Sequence, residues 1–279
     1  MPDLTQELTQ IPVGPLGIIA LPGCEELAKK VDDYIVDWRR QQVSEHKTSI
    51  AFSGYQRDSY ILDVRFHRFG TGEGKAVLHE SVRGYDIYLV VDVFNYGVTH
   101  NCYGIEVPTS PDEHYANLKR AIAACAGKAE RITVIMPMLY EGRQHKRSSR
   151  ESLDCALALQ ELCDLMGVDN IITFDAHDAR VQNAIPLKGF ENVQTTYQMI
   201  KALIRNVKDF KIDTDNLMII SPDEGGLQRC IYYSSVLGVE LGMFYKRRDY
   251  SVVINGRNPI IAHEFLGDNV EGKDVIVVD

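Results

Sequence analysis

The sequence predicts an α/β protein in which mainly parallel sheets are flanked by helices. Apolar runs rich in β-branched residues alternate with segments whose apolar residues recur at helical spacing. Some runs are almost continuously apolar, most clearly Tyr85–Phe94 (YDIYLVVDVF), which is typical of a strand buried on both faces of a parallel sheet. Strands alternating with helices favour βαβ units over an antiparallel arrangement.

The composition limits the classes of function. The chain has 279 residues, enough for one large or two medium domains, with 45% hydrophobic and 25% charged residues. A net charge of −9 argues against nucleic-acid binding, so a phosphate ligand would need local cations or a metal. No apolar run approaches the ~18 residues of a membrane span. The six cysteines form no CxxC pair, which favours core thiols in a reduced cytoplasm.

The individual elements follow from periodicity and turn residues. We predict strands at 11–21, 85–94, 131–138, 170–175, 216–221, 241–245 and 273–279, a hairpin of Ser59–Phe69 with Lys75–Glu80, and helices at 25–40, 113–126, 152–166, 195–206 and 226–237. Residues 41–58 are expected to form a loop or insertion, and residues 95–112 an irregular loop.

The polar stretch Pro186–Asn192 is the predicted junction between two domains, 1–188 and 189–279. Strand–helix units flank it on both sides, so both domains are expected to be of α/β type. The chain stops at Asp279, directly after a strand. A domain rarely ends in this way, so we expect the natural protein to continue beyond this residue.

Polar side chains follow five of the predicted strands. These segments are Gly142–Arg147 (GRQHKR), Asp175–Asp178 (DAHD), Ser221–Gly226 (SPDEGG), Lys246–Arg248 (KRR) and Asp279. Each has a simpler explanation: a basic run is usually solvated, SPDEGG fits a tight turn, and Asp178 fits a cap for the next element. Because ligands of open α/β sheets bind outside the carboxyl ends of the strands, the set together favours a phosphoryl-transfer site with acids for Mg²⁺ and cations for phosphate.

Other phosphoryl-transfer architectures are excluded by their missing motifs. The chain has no Walker A pattern, no protein-kinase HRD/DFG set and no GxGxxG after a strand. At its strand-end residues it instead resembles the ribose-phosphate pyrophosphokinase (phosphoribosyl pyrophosphate synthetase) family. The segments that match family motifs are Glu80–Gly84 (ESVRG), Gly142–Gln144 (GRQ), Asp175–His177 (DAH), Ser221–Gly226 (SPDEGG), Lys246–Arg248 (KRR) and Val277–Asp279 (VVD), in the family's order.

This resemblance implies two phosphoribosyltransferase-like domains, the first with the ATP loops and the second with the ribose-5-phosphate site. It implies diphosphoryl transfer from ATP to the C1 hydroxyl of ribose 5-phosphate, with Mg²⁺ as cofactor, in a cytoplasmic homo-oligomer, a hexamer in this family. The implied roles are metal binding for His177 and Asp223, ATP contacts for Thr71, Gly72, Glu73, Arg143 and Gln144, catalysis for Lys246 and Arg248, and ribose-5-phosphate binding for Arg248 and Asp279. Asp175 is expected to support His177.

Two departures from the family pattern keep an alternative open. The family usually has Asp after RQ, where this chain has His145, and an acidic DGE where it has Thr71-Gly72-Glu73. These differences are compatible with a catalytically weak or inactive regulatory paralogue that binds nucleotide and assembles with an active enzyme. A phosphoribosyltransferase is a further alternative, but it would need neither the RQ loop nor Lys246 and Arg248 in this arrangement.

Overall fold

The computed structural model describes residues 13–44, 57–208, 210–248, 251–252 and 260–279. The chain forms two units, Met1–Gln194 and Thr195–Asp279. The sequence placed this division after Lys188. The difference arises because Gly189–Val193, read as part of a polar junction, forms a strand that pairs with Asn170–Phe174 in the first unit.

The first unit is built on a five-stranded parallel sheet. Its strands are β1 (Leu16–Ala20), β4 (Asp86–Val90), β7 (Arg131–Ile135), β8 (Asn170–Phe174) and β9 (Gly189–Val193), in the order β1-β4-β7-β8-β9. Every neighbouring pair is parallel. The prediction of a mainly parallel sheet is therefore confirmed for this unit.

Helices and two hairpins complete the first unit. The helices are α1 (Glu25–Ser44), α2 (Pro111–Cys125) and α3 (Asp154–Gln160), and the hairpins pair β2 (Val64–Arg68) with β3 (Gly74–Leu78) and β5 (Thr99–Cys102) with β6 (Ile105–Pro108). Ser110 and Glu113 form a capping box that starts α2. The buried face of α2, which includes Leu118 and Ile122, packs into the main core.

The prediction of an irregular loop at 95–112 is wrong in its centre. Residues Thr99–Pro108 form the β5–β6 hairpin, whose two-residue turn is Tyr103-Gly104. Both turn residues have positive φ, 51° and 83°, as a type I′ turn requires. The usual Asn-Gly or Asp-Gly signal is absent, which explains why the sequence did not reveal the hairpin. Of the predicted 41–58 loop, residues 41–44 belong to α1 and 45–56 lie outside the described residues.

The predicted helix 152–166 is divided into α3 and a π-helical turn, Glu161–Leu165. The hydroxyl of Tyr115 lies 3.1 Å from the Ala158 carbonyl oxygen and 2.9 Å from the Glu161 carboxylate at this point. A side chain that competes for a helix carbonyl is a known cause of such an irregularity. Periodicity alone does not carry that information.

The second unit contains a four-stranded sheet. Its strands are β10 (Leu217–Ser221), β11 (Glu240–Arg248), β12 (Ile260–Leu266) and β13 (Asp274–Val277), in the order β12-β11-β10-β13, with helices α4 (Thr196–Asn206) and α5 (Leu227–Leu237). β10 is parallel to β11 and β13, whereas β12 is antiparallel and was not predicted. The carboxyl ends of β10, β11 and β13 therefore share one edge. None of the helices among the described residues is both long and apolar enough to span a bilayer.

Candidate functional site

The loops that follow β7 and β8 lie side by side at the carboxyl edge of the first sheet. Backbone hydrogen bonds continue past the strands, from Met136 N–H to Ile172 (2.9 Å) and from Phe174 N–H to Pro137 (3.0 Å). Further along these loops, the imidazole rings of His145 and His177 are 5.1 Å apart and inclined by 59°. The structure thus brings the loop that carries Arg143 and Gln144 next to the turn that carries His177.

The turn after β8 is held in an unusual conformation. Asp175 has φ +42°, a left-handed backbone that costs roughly 1 kcal/mol for a residue other than glycine. Its N–H donates to the Val193 carbonyl at 3.1 Å, and the Ala176 N–H donates to Oδ1 of Asn192 at 2.8 Å. Strand β9 therefore fixes the direction in which the chain reaches His177.

Asp178 caps the short 3₁₀ helix Ala179–Ala184, as the sequence predicted. Its carboxylate accepts from the Arg180 N–H and guanidinium, at 2.9 Å in each case. The hydrogen bond from the Arg180 side chain is the main cause that holds the pKa of Asp178 well below its usual range. Nε2 of His145 lies 3.5 Å from the same carboxylate. Asp178 thus caps its own helix and lies next to His145.

The loop after β7 presents Arg143 and Gln144 to solvent. Glu141 has φ +54° and the chain folds back through hydrogen bonds from Gly142 N–H to Leu139 O (3.1 Å) and from Gln144 N–H to Glu141 O (2.8 Å). A Cβ at Gly142 would lie 3.0 Å from the Leu139 carbonyl oxygen. A glycine therefore suits this position because the turn is tight, and the two following side chains are exposed.

Tyr140 anchors the beginning of this loop to α2. Its ring stacks on that of Tyr115 with centroids 4.3 Å apart and planes 9° apart, and its hydroxyl donates to Asp112 at 2.6 Å. Tyr115 in turn is bonded to Glu161, which also accepts from Lys119 at 3.0 Å. Burial and the bond to Asp112 raise the pKa of Tyr140, which therefore stays neutral. The sequence pattern does not indicate this anchor.

The glycine-rich segment Gly70–Gly74 is the tip of the β2–β3 hairpin. Thr71 and Glu73 are exposed, and the Thr71 hydroxyl donates to the Glu73 carboxylate at 2.9 Å. Gly72 has φ +89°, and a Cβ there would be 3.2 Å from Sγ of Cys102. A Cβ at Gly74 would lie 2.5 Å from the Arg120 guanidinium. Both glycines therefore make room for neighbouring protein atoms.

In the second unit, SPDEGG forms a tight turn between β10 and α5. The Ser221 hydroxyl donates to the Asp223 carbonyl at 2.6 Å, and Oδ1 of Asp223 accepts from the N–H groups of Gly225 (2.9 Å) and Gly226 (3.3 Å). A Cβ at Gly226 would come within 2.9 Å of Ser221 Oγ and 3.3 Å of the Val278 carbonyl. The turn is thus packed directly against the end of β13.

Asp279 and the KRR segment belong to the same edge of the second sheet. Asp279 follows Val278, whose N–H donates to the Ile220 carbonyl at 3.1 Å. The sequence placed Lys246–Arg248 after a strand ending at Tyr245, but β11 extends to Arg248. Lys246 and Arg248 therefore lie within the last part of β11, where they pair with His263 and Ile260 of β12. The catalytic role of both residues stays a prediction.

The predicted site residues thus fall into two groups. Thr71, Gly72, Glu73, Arg143, Gln144 and His177 belong to the first unit, and Asp223, Lys246, Arg248 and Asp279 to the second. Within the described ranges, no three His, Cys, Asp or Glu side chains form a cluster suited to a metal ion. Sequence reasoning missed the supporting residues Asn192, Tyr140 and Cys102, which contact the site segments from distant parts of the chain.

The protein is thus an α/β protein whose mainly parallel sheets carry polar loops at the carboxyl ends of their strands. A solved structure, phosphoribosylpyrophosphate synthetase from Mycobacterium smegmatis, matches 95% of this chain and 70% of its own with a TM-score of 0.67 at 22% identity. This likeness confirms the predicted two-domain, phosphoribosyltransferase-like fold.

Sequence comparison gives the family. Residues 16–165 match the model of the N-terminal domain of ribose phosphate pyrophosphokinase. Ribose-phosphate pyrophosphokinase of Chlorobaculum tepidum is 27% identical over 95% of this chain, and that of Aquifex aeolicus is 27% identical over 78%. The chain spans 67% and 62% of the length of these two relatives. It belongs to the ribose-phosphate pyrophosphokinase family.

Proposed function

We propose that this protein is an ATP-dependent ribose-phosphate diphosphokinase. It transfers the β,γ-diphosphoryl group of ATP to the C1 hydroxyl of ribose 5-phosphate, and the products are phosphoribosyl pyrophosphate and AMP. The observation that carries the proposal is the placement of the family motifs at strand ends of both sheets, including the contact between the loops of His145 and His177 at 5.1 Å. Ligands of open α/β sheets bind at such an edge.

Each group of residues is suited to its proposed role. Arg143 and Gln144 are exposed and follow a tightly bonded turn, so they are free to bind nucleotide; the guanidinium is well suited to phosphate oxygens. Thr71, Gly72 and Glu73 complete the ATP contacts. Lys246 and Arg248 stabilise the negative charge of the transferring group, the effect that usually contributes most to catalysis. Arg248 and Asp279 bind ribose 5-phosphate.

Mg²⁺ is the proposed cofactor; His177 in the first unit and Asp223 in the second are each proposed as a metal-binding residue. Mg²⁺ is commonly bound by one or two protein carboxylates together with substrate phosphates and water rather than by a closed cage of protein ligands, and Asp223 supplies a carboxylate of this kind. A cluster of three protein donors is therefore not required. When bound, the ion would supply neutralising charge to the phosphate oxygens. Asp175 supports His177 in this scheme.

The test is the formation of AMP from ATP and ribose 5-phosphate by the full-length protein, with Mg²⁺ and inorganic phosphate present. We expect AMP and phosphoribosyl pyrophosphate in equal amounts, with dependence on both substrates. Hydrolysis of ATP that does not depend on ribose 5-phosphate, or no turnover at all, would refute the proposed activity. A homo-oligomer, as in the family, is checked by light scattering on the same preparation.

The regulatory alternative is favoured by one observation, the position of His145. This residue replaces the family's usual Asp and lies between the proposed ligand His177 and the Asp178 carboxylate. If the protein is a regulatory subunit, it will bind ATP, form no AMP alone, and change the rate of an active family member on mixing. An active wild-type protein would exclude this alternative.

A further inference from the structure

The β5–β6 hairpin lies outside the hydrophobic core of the first unit. Its strands, Thr99–Cys102 and Ile105–Pro108, expose most of their side chains, and none of its residues belongs to the buried core. The chain enters and leaves it at adjacent points, since the Thr109 N–H donates to the Val98 carbonyl at 2.7 Å. Ten residues are therefore ordered on the surface without belonging to a hydrophobic core cluster.

The β5–β6 hairpin contacts the tip of the β2–β3 hairpin. The Tyr103 N–H donates to the Gly70 carbonyl at 2.8 Å. Sγ of Cys102 occupies the space beside Gly72 that a side chain there would need. One backbone bond and one close packing contact thus hold the segment that carries Thr71 and Glu73.

A chain of polar and charged groups also holds the same tip. Nη1 of Arg68 donates to the Gly72 carbonyl at 2.7 Å, and the same nitrogen lies 3.5 Å from Glu113. Nε2 of His100, on β5, lies 3.1 Å from that Glu113 carboxylate, and Nδ1 of His100 lies 3.2 Å from the Thr109 hydroxyl. The hairpin therefore also positions the carboxylate that orients Arg68.

We propose that the β5–β6 hairpin is a clamp that sets the conformation of the Thr71–Glu73 turn and thereby the affinity for ATP. Glu113 and His100 are positioning residues, which act through Arg68 and do not touch the nucleotide. The inference rests on the proposed function, because that proposal assigns the turn to ATP. Its chemical consequence is that ATP, rather than ribose 5-phosphate, is the substrate whose binding the hairpin controls.

The structure suggests two variants and a matched control. In the first variant, residues 99–108 are replaced by Asn-Gly, a two-residue connection suited to the adjacent ends at Val98 and Thr109. The second variant is Glu113→Gln, which retains the capping box but removes the charge facing Arg68 and His100. The control is Glu106→Gln, the same change on the exposed β6 strand, where Glu106 accepts from the Thr99 hydroxyl.

The readout is the dissociation constant for ATP, measured by calorimetry, together with the KM for each substrate. We expect the deletion and Glu113→Gln to weaken ATP binding about tenfold, the equivalent of one hydrogen bond to a charged group. The KM for ribose 5-phosphate and the melting temperature should change little, and Glu106→Gln should match the wild type. A merely structural role would affect both substrates or the melting temperature.

Cys102 provides a second readout that does not depend on activity. It is partly exposed, whereas Cys24, Cys125, Cys155, Cys163 and Cys230 are buried. Saturating ATP should slow alkylation of Cys102 by iodoacetamide in the wild type, and Glu113→Gln should weaken this protection.

ATP affinity in the deletion variant within twofold of the wild type would overturn the inference. ATP binding without AMP formation would refute the proposed activity alone, and absence of ATP binding would refute both.

Discussion

Tyr140 contributes to the stability of the first unit and also anchors the loop that carries Arg143 and Gln144. Its substitution is therefore expected to affect both the stability of the unit and the conformation of the loop. Tyr140→Leu removes the ring stack on Tyr115 and the hydrogen bond to Asp112. The stack contributes ~0.5–1.5 kcal/mol beyond its buried area. A hydrogen bond to a carboxylate contributes ~1.5–3 kcal/mol when buried, but Asp112 is exposed, so about 1 kcal/mol is reasonable here. The expected loss is about 2 kcal/mol.

Tyr140→Phe separates the two contributions, because it keeps the stack and removes only the hydroxyl. We expect it to cost about 1 kcal/mol. If the anchor positions the loop, each substitution lowers ATP affinity by the same free energy by which it lowers stability. Because 1.4 kcal/mol corresponds to a factor of ten, the expected loss of affinity is about fivefold for Tyr140→Phe and ~20–30-fold for Tyr140→Leu.

The unfolding of the first unit is followed by the fluorescence of Trp38, the single tryptophan of the chain, in urea. A local probe is needed because a protein with two units need not unfold in one step. ATP affinity is measured on the same samples. The reasoning is refuted if Tyr140→Leu lowers the free energy of unfolding as expected but leaves ATP binding unchanged, because the loop would then keep its conformation without the anchor.

Three further predictions follow from other contacts. Arg131→Met should cost about 2–3 kcal/mol in urea unfolding, because it leaves the buried Asp86 carboxylate without the guanidinium that lies 2.8 Å away. Asp178→Asn should cost about 1 kcal/mol at neutral pH; because the folded-state pKa of this carboxyl is depressed, that cost is present above pH ~4 and disappears as the pH falls further. Lys246→Ala should lower kcat by ~10²–10³-fold with little effect on the melting temperature, and a rate near that of the wild type would refute its role.

The parallel sheets could be predicted from apolar runs such as that of β4. A strand that is buried on both faces needs consecutive apolar residues, so its burial is visible in the local sequence. The cap at Asp178 could be predicted because it is also a local feature: its partner Arg180 is two residues away. The strand Gly189–Val193 was missed because it is short, polar and partly exposed, and its hydrogen bonds with β8 depend on residues almost 20 positions earlier.

The contacts by which distant parts of the chain support the site segments could not be predicted from the sequence pattern either. The Gly70–Gly74 turn could be located as a turn, but its glycines are explained by Cys102 and Arg120, which approach from other elements. In the same way, Asn192 holds the turn of His177 from the next strand. These partners are fixed by packing between distant segments, so the chemical type of a site residue was predictable while its supports were not.

The strand order of the first sheet also has a consequence for how the protein is made. β1, β4, β7, β8 and β9 lie in the sheet in the order in which they leave the ribosome. Each new strand adds to the edge formed by the one before it, so assembly proceeds in one direction during synthesis. The other edge is protected early, because residues 60–62 bond to Ile18 of β1. A nascent chain therefore exposes a single growing edge, which limits wrong pairing with other chains.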